Sequence, residues 1–261
     1  MMRAILSLVL ILLTMQLTSQ SPFIIAHRGA SYDAPENTMA SVRLAWERNA
    51  DAVEIDVHHT KDNKIMVIHD RDTRRTAGTR LVVIESLAGD LRNLEVGSFK
   101  DPRFAGERIP FLEEIIETIP DGKILFIEVK SDASILPYLS EIIKTSPKKD
   151  RLVVIGFDFD VVAGIKQRIP EVPAYWLHNS LVGGYKEEFI RQAKQADLDG
   201  LNFHYRGITT EYVREVHKAG MKMFTWTVDD VDEARRLIGA GIDGITTNRP
   251  GWLKEQLDQG E

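Results

Sequence analysis

The stretch Ala240-Gly-Ile-Asp-Gly-Ile245 ends a helical pattern, turns through small residues and an aspartate, and enters an apolar run. Two earlier stretches, Asn49-Ala-Asp-Ala-Val53 and Ala196-Asp-Leu-Asp-Gly-Leu201, have the same form. Helix–turn–strand units that recur along one chain indicate serial βα construction. The repeat therefore predicts an α/β fold, and the other apolar runs decide how many strands it contains.

Eight short apolar runs are candidate strands, and most are continuous rather than alternating, as in parallel strands buried on both faces. They span residues 23–26, 52–57, 124–129, 152–155, 174–177, 200–203, 222–226 and 244–246. Helical patterns separate most of them, at residues 38–48, 111–119, 134–144, 160–168, 186–195, 210–219 and 230–239. Eight strands with intervening helices in about 240 residues match a (β/α)8 TIM barrel. The competing fold is an open doubly wound sheet, but no Gly-x-Gly-x-x-Gly motif follows the first strand.

The connection after the second strand departs from this plan. Asp62-Asn63 lies between two apolar runs, which predicts a hairpin-like continuation of the strand. Residues 71–110 are long for a βα connection, which usually has about 2–6 residues, so we expect a small insertion at one face of the barrel. It contains Arg71, Arg74, Arg75 and Arg80. These arginines could meet an anionic headgroup, although a solvated surface is the usual role of such charges.

The chain begins with the features of a secretory signal peptide. Met1-Met2-Arg3 precedes an apolar run from Ala4 to Leu13, and small polar residues follow. A membrane anchor would need roughly 18 apolar residues, which is more than this run has. We therefore expect residues 1–20 to be cleaved, which leaves residues 21–261 as one barrel domain. The expected destination is the periplasm or the medium, with no membrane span after cleavage.

The composition excludes several classes of protein. The 261 residues include 33 Lys+Arg and 39 Asp+Glu, so the formal net charge is −6, and 43% of residues are hydrophobic. That apolar content supports a folded core rather than a disordered chain. The negative charge argues against duplex nucleic acid as a partner. The absence of cysteine excludes thiolate metal sites and a cysteine nucleophile.

Carboxylates occur in strands where apolar residues are expected. Glu54 and Asp56 are two positions apart and therefore share one face of the second strand, and Glu128 and Lys130 do the same in the next barrel strand. Carboxylates in apolar surroundings are costly unless a cation compensates them. Oxygen ligands suit Ca²⁺ or Mg²⁺, which predicts a divalent metal site. The alternative is a buried ion pair of Glu128 with Lys130, but one lysine cannot offset three carboxylates.

Two histidines accompany these carboxylates at predicted strand ends, where a TIM barrel has its active site. His27 and Arg28 directly follow the first strand, and His69 ends the apolar run 65–68. Histidines beside a metal could supply an acid and a base near neutral pH. Arg28 and Lys130 add positive charge that suits a phosphate.

Several motifs follow one another in a specific order and spacing. They are Ala26-His-Arg-Gly29, Ala34-Pro-Glu-Asn-Thr38, Glu54-Ile-Asp-Val57, Thr60-Lys-Asp62, Val67-Ile-His-Asp70, Ile109-Pro-Phe-Leu-Glu113, Ile127-Glu-Val-Lys130, Phe224-Thr-Trp-Thr-Val228 and Gly244-Ile-Thr-Thr-Asn-Arg-Pro250. In these motifs the chain resembles the glycerophosphodiester phosphodiesterase family over nearly its whole length after the signal peptide. The last motif has Asn248 where many relatives carry aspartate, which argues against a charge-dependent role there.

The resemblance implies a (β/α)8 barrel with a small insertion after the second strand. It also implies hydrolysis of a small-molecule glycerophosphodiester to glycerol 3-phosphate and an alcohol such as choline or ethanolamine. The residues that match the family's functional positions are the catalytic acid/base pair His27 and His69, the metal ligands Glu54, Asp56 and Glu128, and the phosphate contacts Arg28 and Lys130. Trp226 would line the pocket near the glycerol, or serve only as an interior aromatic of the barrel.

Alternatives stay open at this point. Either histidine could be the acid, and either water or the glycerol 2-hydroxyl could attack phosphorus. A phospholipase D-like enzyme acting on lysophospholipid or sphingolipid would share the barrel, but such secreted enzymes usually have disulfide-braced loops and this chain has no cysteine. A non-catalytic phosphodiester-binding protein would lack a catalytic residue, yet both histidines and all three carboxylates are present. The sequence predicts no particular oligomeric state.

Overall fold

A computed structural model of the chain describes residues 23–179 and 186–259. Its strands are β1 (Phe23–Ala26), β2 (Ala52–His59), β3 (Ile65–Val67), β4 (Ile124–Val129), β5 (Leu152–Gly156), β6 (Ala174–His178), β7 (Gly200–His204), β8 (Lys222–Trp226) and β9 (Gly244–Thr247). All except β3 pair in parallel, in the order β1-β9-β8-β7-β6-β5-β4-β2, and β2 pairs with β1. The predicted eight-stranded (β/α)8 barrel is therefore confirmed.

Helices cover the outside of the barrel. They are α1 (Met39–Glu47), α2 (Arg74–Ala77), α3 (Ala88–Arg92), α4 (Leu112–Glu117), α5 (Leu136–Thr145), α6 (Phe159–Arg168), α7 (Lys186–Gln195), α8 (Thr210–Lys218), α9 (Val231–Ala240) and α10 (Pro250–Asp258). Helix α10 was not among the helices predicted from the sequence, although Pro250 in its first turn is a common helix start. Within the described residues, none of these helices combines the length and apolarity that crossing a membrane requires. The predicted signal peptide lies outside the described residues and stays a prediction.

The second strand continues into a hairpin, as Asp62-Asn63 predicted. β3 pairs antiparallel with β2, and Val57 lies opposite Val67. The chain then forms α2, α3 and two short 3₁₀ turns before it returns to the barrel at α4. This insertion has an apolar cluster of its own, which includes Met66, Val83 and Leu91. It therefore packs on β3 as a small appended unit rather than as an open loop.

The barrel interior changes in character along its axis. Near the amino-terminal ends of the strands, the rings of Phe126, Tyr175 and Phe224 pack with centroids 4.8–6.1 Å apart. We call these three rings the barrel floor. Beneath them lies a cavity of about 400 Å³ that Phe23 and Lys222 help to line. Towards the carboxyl ends of the strands, Glu54, Asp56 and Glu128 are buried inside the barrel.

The aspartates of the repeated turns hold neighbouring strands together at the amino-terminal end. A carboxylate oxygen of each accepts a hydrogen bond, 2.8–3.0 Å long, from a backbone N–H in the preceding barrel strand. The pairs are Asp51 with Ile24, Asp199 with Ala174, and Asp243 with Met223. Left-handed backbone at Asn49, Asp197 and Gly241 precedes each aspartate. The repeat thus encodes one strand clamp used three times.

Replacing one clamp should weaken the fold. In Asp199→Ala the buried N–H of Ala174 loses its acceptor, and Lys166 loses a partner that lies 3.0 Å away. We expect the free energy of unfolding, measured by urea titration followed by circular dichroism, to fall by about 1–3 kcal/mol. Asp150→Ala, which removes an exposed carboxylate at the same end of the barrel, is the control. Equal losses of unfolding free energy in Asp199→Ala and Asp150→Ala would contradict a stabilising role for the Asp199 hydrogen bond.

Candidate active site

A cavity of about 290 Å³ opens at the carboxyl-terminal end of the barrel. Seven of the eight residues predicted as site residues line it: His27, Arg28, Glu54, His69, Glu128, Lys130 and Trp226. The eighth, Asp56, is 1% exposed and touches two of the others, Arg28 and Lys130. Residues from three strands and from the loops after three strands therefore converge on one place, as the predicted strand ends implied.

Glu54 and Glu128 line this cavity, and together with the adjacent Asp56 they form a carboxylate trio. Each residue offers an oxygen, and these oxygens all lie within 4.8 Å of one another. All three side chains are buried, and neither Glu54 Oε1 nor Asp56 Oδ1 has a hydrogen-bond partner. Buried anionic oxygens without a donor are costly unless a cation completes the site. The oxygen-only donor set fits a hard divalent cation such as Ca²⁺ or Mg²⁺.

Burial, together with repulsion within the trio, raises the pKa values of its glutamates. Burial, and then the nearby Asp56 and Glu128 carboxylates, raise the pKa of Glu54 well above its ordinary value. Burial and Asp56 raise the pKa of Glu128 to about 7, against the opposing effect of Lys130, whose Nζ lies 2.7 Å from Glu128 Oε1. Without a bound cation, the folded protein therefore favours protonation of these two glutamates more than the unfolded chain does.

Asp56 is fixed by a residue whose role the sequence analysis did not predict. Asn37 Nδ2 donates to Asp56 Oδ2 at 2.8 Å, and the Asp56 N–H donates back to Asn37 Oδ1 at 3.0 Å. Asn37 has a left-handed backbone, with φ of 57°, so it turns back towards the barrel just before α1. Thr38 caps α1, and its side chain accepts a hydrogen bond from the Ser41 N–H. Asn37 instead holds a predicted metal ligand in place.

A tight turn after β1 brings the backbone against Glu54. Arg28 and Gly29 both have positive φ values, 54° and 77°. In this conformation the Arg28 N–H donates to Glu54 Oε2 at 2.8 Å, while the Arg28 side chain lies 3.2 Å from Asp56 Oδ2. A β-carbon on Gly29 would come 2.5 Å from the Ser41 carbonyl carbon. Glycine is therefore required here both for its φ and for the close approach of α1.

His27 has one ring nitrogen fixed and one available. Its Nδ1 lies 2.7 Å from Asn248 Oδ1, and Asn248 Nδ2 donates to Asp229 Oδ2 at 2.5 Å. Because Asp229 accepts from the amide nitrogen, the amide oxygen faces His27, so Nδ1 carries the proton and Nε2 is an acceptor. Burial and the adjacent Arg28 lower the pKa of His27 to about 4. The imidazole is therefore neutral at pH 7.

His69 stands at the other side of the cavity, at one end of a chain of charged groups. Its Nδ1 lies 2.7 Å from Asp70 Oδ1, and Arg75 Nε donates to Asp70 Oδ2 at 2.7 Å. The guanidinium of Arg75 also donates twice to Glu36, at 2.8 Å each, and Glu36 accepts from Arg28 at 3.0 Å. One connected network thus joins His69 to Arg28, and hence to Asp56.

The two carboxylates of this network are held ionised. Burial opposes ionisation of Glu36 and Asp70, but hydrogen bonds outweigh it and lower the pKa of each to about 2. Arg75 donates to both, and it belongs to α2 in the insertion. Of Arg71, Arg74, Arg75 and Arg80, only Arg75 forms an ion pair with Asp70 or Glu36 among the described residues. Arg80 pairs with Asp72 at the surface. The sequence analysis gave neither Glu36 nor Asp70 a role.

The outer wall of the cavity is aromatic. Trp226 packs edge-on against Phe157, with ring centroids 5.5 Å apart, and its indole N–H donates to the Asn202 carbonyl at 3.3 Å. Lys130 Nζ lies 5.6 Å from the centroid of Phe157. The cavity therefore offers cations and carboxylates on one side and apolar ring surface on the other. Such a site suits a small molecule with an anionic group and a carbon skeleton.

Comparisons with known proteins identify the family of this chain. The model of the glycerophosphoryl diester phosphodiesterase family matches residues 27–252. A glycerophosphodiester phosphodiesterase from Caldanaerobacter subterraneus is 34% identical over 91% of this chain and 98% of its own.

Solved structures give the same picture. A phosphodiesterase from Oleispira antarctica, solved in complex with the product sn-glycerol-3-phosphate, has a TM-score of 0.84 at 28% identity, over 91% of this chain and 97% of its own. A glycerophosphodiester phosphodiesterase from Thermotoga maritima has a TM-score of 0.75 at 26% identity, over 91% and 99% of the two chains.

Removing one charge from the trio should change how stability depends on pH. The pKa of Glu128 rises from 4.5 to about 7 on folding, so its contribution is fully present below pH 4.5 and is lost as pH rises through 7. In EDTA, we expect Glu128→Gln to gain on the order of 3 kcal/mol of unfolding free energy relative to wild type between pH 4.5 and 8. Urea titrations of both proteins at each pH measure this difference. Both proteins contain His27, so its contribution to the pH dependence of stability drops out of the difference.

The same two proteins test the metal site. Saturating Ca²⁺ or Mg²⁺ should raise the melting temperature of wild type more than that of Glu128→Gln, because a ligand that binds only the folded state stabilises it. A pH-independent difference between the two proteins, together with equal responses to both cations, would contradict a metal-binding trio.

Proposed function

The chain belongs to the glycerophosphoryl diester phosphodiesterase family, and we propose that it hydrolyses glycerophosphodiesters with His27 and His69 as its acid–base pair. The products are glycerol 3-phosphate and an alcohol. The observation that carries the proposal is that both histidines, Glu54 and Glu128 line one cavity, with Asp56 of the carboxylate trio beside them. The substrate would be met outside the cytoplasm, since residues 1–20 predict export.

A divalent cation completes this proposal. Glu54, Asp56 and Glu128 would hold it, since two of their buried oxygens have no donor from the protein. When bound, the cation supplies positive charge that offsets the charge building on the phosphate oxygens. Ca²⁺ and Mg²⁺ both suit the oxygen ligands.

The two histidines would divide the proton transfers. The Nδ1–H of His27 is committed to Asn248, so its Nε2 can take a proton from the attacking water or hydroxyl. This fits the lowered pKa of His27, which keeps the ring neutral. His69 would protonate the leaving alkoxide, and the hydrogen bond to Asp70 orients its ring.

Other side chains would bind and orient the substrate. Arg28 and Lys130 line the cavity beside the trio and would contact the phosphate oxygens. The faces and edges of Trp226 and Phe157 would pack against the carbon atoms of the glycerol. A phosphate held between the cations and the two histidines would be positioned for in-line attack, which is a large part of catalysis in such reactions.

The histidine assignment is tested by substitution. With glycerophosphocholine and saturating Ca²⁺ or Mg²⁺, we expect His27→Ala and His69→Ala each to lower kcat by at least about 100-fold, because each removes a proton-transfer group. Release of glycerol 3-phosphate measures the rate, and EDTA should abolish it in the wild type. His217→Ala on α8, which pairs with Asp243 far from the cavity, is the control and should keep its activity.

The circular dichroism spectra of these variants should match that of wild type. Near-normal turnover in either cavity variant would rule out the pair. Faster hydrolysis of lysophosphatidylcholine than of glycerophosphocholine by wild type would favour the phospholipase D-like alternative instead.

Arg75 should be important although it lies outside the cavity. Arg75→Ala removes three hydrogen bonds that hold Asp70 and Glu36, so we expect kcat to fall by about tenfold through misplacement of His69. Arg75→Lys keeps the charge but not the bidentate contact, so its kcat should lie between those of wild type and Arg75→Ala. Arg80→Ala, which breaks a surface pair in the same insertion, is the matched control. Indistinguishable kcat values for Arg75→Ala and Arg80→Ala would contradict the network.

A further inference from the structure

A second cavity adjoins the first at the same end of the barrel. This outer groove has a volume of about 260 Å³. Its walls are Ser31, Tyr32, Glu36, Lys100 and Asn248, and it shares His27 and Arg28 with the active-site cavity. The groove lies between the loop after β1 and the insertion, which contributes Lys100. It is therefore a built feature of this chain's insertion as well as of its barrel.

The two cavities meet where the phosphate would bind. The residues they share are a histidine proposed to transfer a proton and an arginine suited to a phosphate oxygen. A phosphodiester has two alkoxy arms that diverge from its phosphorus. With the glycerol arm in the inner cavity, against Trp226, the other arm points into the outer groove. We infer that the outer groove binds the alcohol headgroup and favours headgroups that carry a carboxylate or a phosphate group. This inference rests on the proposed function.

Lys100 gives the groove its charge preference. Its ammonium donates to the Ser31 carbonyl at 2.9 Å, and no carboxylate in residues 23–179 and 186–259 forms an ion pair with it. The carboxylate of Glu36 does not cancel this charge, because Arg75 and Arg28 already hold both of its oxygens at 2.8–3.0 Å. The groove therefore keeps an uncompensated cation that an anionic headgroup can reach.

The aromatic ring in the groove does not offer a site for a cationic headgroup. Tyr32 is 56% exposed, and an exposed ring face can attract a quaternary ammonium group. However, the guanidinium of Arg249 already lies 4.5 Å from the centroid of this ring. A choline headgroup would add a third positive charge beside Arg249 and Lys100. Repulsion from these two cations disfavours choline, and their charge favours an anionic headgroup.

The test uses two substrates that differ by a single carboxylate. Glycerophosphoserine and glycerophosphoethanolamine share the ammonium group, and only the serine diester has the additional anion. For wild type at low salt, we expect kcat/KM to be about two- to fivefold higher for the serine diester, the gain that a solvent-accessible ion pair provides. The ratio should fall towards one in 0.5 M NaCl, because salt screens such pairs.

Substitutions of Lys100 assign the preference to the groove. Lys100→Gln should bring the serine-to-ethanolamine ratio close to one, Lys100→Glu should bring it below one, and Lys100→Arg should keep it. Lys144→Gln removes the same charge from an exposed position in the last turn of α5, at the opposite end of the barrel, and should leave the ratio unchanged. Because each result is a ratio within one protein, a general loss of activity cancels.

The outcomes separate the two proposals. If both diesters are hydrolysed and wild type shows a ratio of one or less, or Lys100→Gln keeps the wild-type ratio, the headgroup inference is wrong and the proposed function stands. If wild type hydrolyses neither diester, nor glycerophosphocholine, the proposed function fails and the inference fails with it.

Discussion

Electrostatic repulsion among three carboxylates inside a barrel is the constraint around which this site is built. Glu54, Asp56 and Glu128 place oxygens within 4.8 Å of one another, and each residue is at most 8% exposed. Each neighbour of the trio reduces this cost: Asn37 donates to Asp56, the Arg28 backbone donates to Glu54, and Lys130 donates to Glu128. These donors leave two oxygens unsatisfied, so the protein alone does not complete the site, and a cation has a defined place in it.

Much of the fold follows from patterns that operate over a few residues. Continuous apolar runs predicted all eight barrel strands, because parallel strands are buried on both faces, and alternation within β2 placed Glu54 and Asp56 on the same side. The contacts that complete the site are a different matter. His27 meets Asn248 across 221 positions, and Arg75 meets Glu36 across 39. No periodicity encodes such contacts, because they arise only when the barrel closes and the insertion folds onto it.

The insertion illustrates this difference. Its length showed that residues 71–110 would form something other than a simple loop, and its arginines were expected mainly to face solvent. Arg80 does lie at the surface, where it pairs with Asp72. Arg75, five positions earlier, connects Asp70 to Glu36 instead, and Lys100 closes one side of the outer groove. A segment that appears peripheral in the sequence therefore supplies a support for one proposed catalytic histidine and a wall beside the other.

The barrel floor limits the routes by which a product can leave the active-site cavity. Phe126, Tyr175 and Phe224 separate the active-site cavity from the cavity beneath them, since the two share no lining residue. A molecule in the inner cavity then has its way out on the side of the outer groove. The alcohol, formed nearer the mouth, would depart first, and glycerol 3-phosphate would follow it. The inner product would thus be the last to leave and the one that competes with new substrate, so a closed floor would set an order of product release as well as add to the core.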